Sequence, residues 1–151
     1  MADTIVLDAD RRCFPRLGAR RLSITSQIDK RYNCIAYAAS DLANWWWPFP
    51  ADAKEVHWPT GVPREETVNA FRAMFESLGY AECSDDLMEA GFEKVALFAE
   101  GDIPRHAARQ RENGRWISEL GEREDIEHDL RDLEGDTYGT VVLIMKRSRT
   151  P

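Results

Sequence analysis

Tyr32-Asn33-Cys34-Ile35-Ala36-Tyr37-Ala38 reads as the first turn of a helix with a cysteine at its start. Asn33 is a strong N-cap type, because its side-chain oxygen can accept a bond from a backbone N–H that the helix leaves unpaired. Cys34 then falls at the first helical position, where the helix dipole and the free N–H groups favour a thiolate over a thiol. Ile35, Ala38, Ala39 and Leu42 follow at helical spacing, so the helix is expected to run to about Asn44. Its small alanines would let it lie close against a sheet. A thiolate needs a base, and His106 offers one at the head of a strand-like run. The expected fold class is α+β: N-terminal helices, one carrying Cys34, packed on an antiparallel sheet.

The 151 residues suit one domain, residues 1–151, with a core that needs no staples. The net charge of −7 excludes the basic field that an extended nucleic-acid groove requires. The arginines Arg11, Arg12, Arg16, Arg20 and Arg21 read as solvated surface. No apolar run approaches the ~20 residues of a membrane span, and the start lacks a basic-then-apolar signal pattern, so a cytoplasmic protein without membrane contact is expected. The three cysteines, Cys13, Cys34 and Cys83, lack the paired spacing of a disulfide framework or a zinc knuckle. Neither a metal nor a cofactor is expected.

Further along, Pro48 disfavours helix at Trp47, so the first helix must stop near the run Trp45-Trp46-Trp47-Pro48. Three consecutive tryptophans cannot all point inward from one short turn. Trp45, Trp46 and Trp47, with Trp58 in the next loop, are the candidate walls of a ligand cleft. Asn33 joins them as a candidate substrate contact beside the cysteine. A second helix is expected from Pro63, with Val68, Phe71, Phe75 and Leu78 on its apolar face and Gly79 as its stop. Strands are expected at Lys94–Ala99, Arg105–Arg111, Arg115–Leu120 and Tyr138–Lys146. Between the last two, Ile126, Leu130 and Leu133 share one face of a short expected helix, with His128 on its solvent side.

Acyl transfer by cysteine requires a thiolate, a base within reach, a group that fixes the base's ring, and N–H donors for the oxyanion. Cys34 and His106 would supply the first two. The third depends on hairpin register. A three-residue loop Glu112-Asn113-Gly114 sets Ala108 opposite Ser118 and makes Ser118 the diagonal neighbour of His106. A two-residue loop Asn113-Gly114 makes it Glu119 instead, because one residue of slip swaps the faces. Gln110 shares the His106 face in both. The orienting candidates are therefore Ser118, Glu119 and Gln110.

His106-Ala107-Ala108-Arg109-Gln110, followed by Asn113-Gly114-Arg115-Trp116-Ile117-Ser118, resembles the histidine hairpin of papain-like peptidases of the NlpC type. Those enzymes also carry their cysteine at a helix N-terminus. The resemblance implies a papain-like fold with Cys34 as nucleophile, His106 as base and Ser118 where the family has its polar orienter. It implies a cysteine hydrolase or acyltransferase acting on a peptide, amide or other acyl group. The longer set Asn33-Cys34-Ile35-Ala36, the tryptophan run, Gly91-Phe92-Glu93-Lys94-Val95-Ala96-Leu97, the histidine strand and Tyr138-Gly139 resembles an uncharacterised bacterial domain family. The competing expectation is an inactive papain-like fold that binds a protein or ligand through its tryptophan-rich loop.

Overall fold

A computed structural model describes residues 23–26, 33–41, 45–48, 56–119 and 125–149. The arginines before residue 22 and Cys13 lie outside them. The described residues build an α+β architecture around one seven-stranded sheet, ordered β1-β8-β7-β6-β5-β9-β4. Its strands are β1 (Ser23–Ser26), β4 (Ala81–Glu82), β5 (Phe92–Glu100), β6 (Ile103–Gln110), β7 (Trp116–Glu119), β8 (Asp125–His128) and β9 (Thr140–Ser148). Every pairing within it is antiparallel. A separate parallel pair joins β2 (Trp45–Trp46) to β3 (Val56–His57).

The centre of the sheet follows from composition. Val95-Ala96-Leu97-Phe98-Ala99 in β5 is an unbroken apolar run, which a strand covered on both faces can bury. Alternation then sorts its residues. Val95 and Leu97 join Ala107, Ile117, Leu143 and Met145 on one face, under the two helices. Ala96 and Phe98 join Ala108, Trp116 and Ile126 on the other, under a 3₁₀ turn at Leu130–Leu133.

Helix α1 is Cys34–Ala38, and Asn33 caps it as expected, its side chain accepting from the Ala36 N–H at 3.0 Å. The helix ends at Ala38 instead of near Asn44. Ser40 there adopts φ 68, a left-handed turn that stops propagation. Helix α2 is Val68–Ser77 and starts five residues after Pro63, because Thr67 caps it by accepting from the Ala70 N–H at 3.2 Å. Its Ala70, Phe71, Met74 and Phe75 are buried and Gly79, at φ 95, follows its end.

The β6–β7 hairpin takes the three-residue register. Arg109 faces Ile117 and Gln110 faces Trp116, with Gly114 left-handed at φ 88. The helix expected around Ile126 is not formed. Residues Asp125–His128 pair with β1 on one side and β7 on the other. Two available ladders outweigh the short helical pattern expected from about Glu124 to Leu133, of which only the 3₁₀ turn at Leu130–Leu133 is helical.

Candidate functional site

Cys34 lies at the first position of α1, which packs against the β6–β7 face that carries Ala107 and Ile117. The short helix does not activate its sulfur. Desolvation first, then the Glu119 carboxylate, push the thiol up to about 12, and hydrogen bonding from the Ala107 and Ile35 backbone offsets only part of this. At neutral pH the group is a thiol.

His106 points the other way. Its ring lies 5.2 Å from that of Phe98 and stacks on Tyr138 at 4.0 Å with an interplanar angle of 2°. Both neighbours belong to the opposite apolar layer. The cause is strand alternation: Ala107 faces α1, so His106 and Ala108 face away from it. His106 is fully buried, and neither ring nitrogen has a hydrogen-bond partner among the described residues. Desolvation, then the nearby His128, hold its pKa well below the usual histidine value, so the ring is neutral. The expected Cys34–His106 pair is therefore not assembled: the sheet itself stands between sulfur and imidazole.

The expected orienters are engaged elsewhere. Ser118 Oγ lies 2.7 Å from His128 Nε2, and His128 Nδ1 lies 2.7 Å from the Asp129 carbonyl oxygen. A carbonyl only accepts, so Nδ1 carries the hydrogen and Ser118 donates to Nε2. His128 was expected to face solvent on a helix; β8 instead turns it inward, opposite Trp116. Burial lowers its pKa to about 4. The serine–histidine geometry resembles a nucleophile and its base, but both residues are 0% exposed, so no substrate reaches the hydroxyl. Gln110 donates to the Asp86 carbonyl at 2.7 Å and the Gly114 carbonyl at 3.2 Å, tying down the hairpin tip. Glu119 is buried beside Cys34.

The tryptophans seal a core. Trp46 and Trp58 are buried, and their indole N–H groups donate to Asp41 at 2.8 Å and the Pro63 carbonyl at 3.0 Å. Trp47, half-buried, donates to Glu66 at 3.0 Å and meets Phe71 edge-on. The Trp45 side chain lies outside what is described. Asn33, expected as a substrate contact, spends its remaining capacity on Trp46: Oδ1 accepts from the Trp46 N–H at 3.0 Å and Nδ2 donates to the Trp46 carbonyl at 2.9 Å. It is a structural clamp between α1 and β2.

Arg109 is a residue that the sequence motifs alone do not single out. It lies on the α1 side of β6 and lines an open cleft of about 570 Å³ together with Tyr37, Arg111, Glu112, Asn113 and Arg149. The signal available in the sequence is the pair Arg109 and Arg111 at the end of a strand, next to the Asn113-Gly114 turn. Among the described residues no group of three or more potential ligands could hold a metal ion. None of their helices is long and apolar enough to cross a membrane.

One family model matches the chain, over residues 23–146, and it describes a domain of unknown function, DUF7689. No curated protein and no solved structure matches.

Proposed function

Because the chain belongs to the DUF7689 family, whose description assigns no activity, we propose from its own residues that it is a ligand-binding module on a papain-like scaffold. On this reading the cysteine helix and antiparallel sheet of a hydrolase are retained without turnover. The binding surface is the arginine-lined cleft at the hairpin instead of the tryptophan loop. The partner is a small molecule or a protein segment, and the free thiols Cys34 and Cys83 suit a reducing compartment such as the cytoplasm.

The supporting observation is the position of His106 on the face of the sheet turned away from Cys34. General-base catalysis needs heavy atoms within about 3.2 Å, or one water, of each other. A strand between the two groups removes that option without a change of fold.

The test is iodoacetamide labelling against pH. A raised thiol pKa makes the thiolate scarce, so Cys34 should alkylate at about pH 8 no faster than Cys83. Cys34→Ser should leave ligand binding at the cleft unchanged. Rapid, selective alkylation of Cys34 well below pH 8 would restore the hydrolase reading and sink this one.

A further inference from the structure

Among the described residues, the cleft holds one arginine that no carboxylate pairs with. Arg111 pairs with Glu127 at 3.5 Å, and Arg149 lies 3.4 Å from Glu93 and 4.0 Å from Glu112. Arg109 is different. Its Nη1 donates to the Ser40 hydroxyl at 2.9 Å, its guanidinium lies 5.5 Å from the centroid of the Tyr37 ring, and its buried Nε has no hydrogen-bond partner among the described residues. Among the described residues no carboxylate pairs with it. In a chain with 27 acidic residues against 20 basic ones, that vacancy runs against composition.

The guanidinium is also held in place. Ser40 adopts φ 68, a conformation that favours glycine, and its hydroxyl meets Arg109 there. Strained backbone that fixes a charged side chain beside a cleft is the arrangement of a preorganised binding group. A guanidinium offers a planar fork that fits the oxygens of a carboxylate or phosphate.

We propose that Arg109 anchors an oxyanion in this cleft, so that the ligand carries a carboxylate or phosphate group, with Arg149 on the cleft wall and the Tyr37 ring beside it. The inference rests on the cleft being a binding surface.

The experiment is a ¹H–¹⁵N NMR titration of the full chain, at fixed ionic strength, with inorganic phosphate, benzoate and benzamide. Phosphate or benzoate should shift the Arg111 and Asn113 amides saturably, and benzamide should not; which anion binds tells a phosphate ligand from a carboxylate one. Arg109→Gln should weaken that binding by about tenfold or more while keeping a dispersed spectrum. Glu112→Gln, at an exposed position, should tighten it, because a like charge leaves the rim. Benzamide binding as well as benzoate would overturn the anion site and leave the binding module standing. Silence from all three probes would overturn both; anion binding that Arg109→Gln and Glu112→Gln leave unchanged would overturn the Arg109 anchor and leave the binding module standing.

Discussion

Asn33 makes three buried side-chain hydrogen bonds at the start of the first helix. It satisfies an α1 N–H and both backbone groups of Trp46. Asn33→Ala should therefore cost more than an ordinary cap, about 2–4 kcal/mol, read from chemical denaturation. Its capping role was legible because it depends on three neighbouring residues. Ser118 shows the opposite. Its partner, His128, comes from another strand, so the sequence offered only the diagonal neighbour His106. Ser118→Ala removes a buried 2.7 Å bond and leaves His128 Nε2 unsatisfied. A loss of about 1–3 kcal/mol is expected, and an unchanged denaturation midpoint would mean that the pair does not form.

Among the elements, the β6–β7 hairpin was readable in outline, because Asn113-Gly114 restricts the turn to two registers. The structure selects the one that seats Trp116 and Ser118 on the same face as Ala108. The helical spacing of Ile126, Leu130 and Leu133 does not decide Asp125–His128, because a short stretch with one aliphatic side chain also fits a strand, and only Leu130–Leu133 forms a helical turn. Long-range pairing with β1 and β7 decided the matter. The turn before β9 depends on one atom. A Cβ at Gly139, where φ is +77, would lie 2.2 Å from the Ala99 carbonyl oxygen, next to an irregularity in the β5–β9 register. Gly139→Ala should destabilise by about 3 kcal/mol or more, since backbone must move to admit the methyl group. A melting temperature within a degree or two of the parent would refute the close approach.

Across the whole molecule, two fully buried neutral histidines link the fold to pH. Both have folded pKa values below that of an unfolded histidine, so the unfolded chain binds more protons as pH falls. Their contribution is present above about pH 6.5 and is lost as pH falls; for His128 the loss runs down through about pH 4, the value to which it is held. For His128 the loss amounts to about 3 kcal/mol. Melts followed by circular dichroism should show the melting temperature falling through that window. His106→Leu should flatten part of the fall without destabilising the protein at pH 7, because it removes two buried nitrogens that have no hydrogen-bond partner among the described residues. A catalytic role for this imidazole predicts nothing about that slope. The chain's local patterns were enough to fix an α+β class, the capped cysteine turn, the amphipathic second helix and the apolar central strands, since each depends on residues within a turn or two of one another. Which side of the sheet a strand residue faces depends on partners far along the chain. Packing therefore separated Cys34 from His106, joined Ser118 to His128 and set Arg109 at a cleft where no carboxylate among the described residues pairs with it.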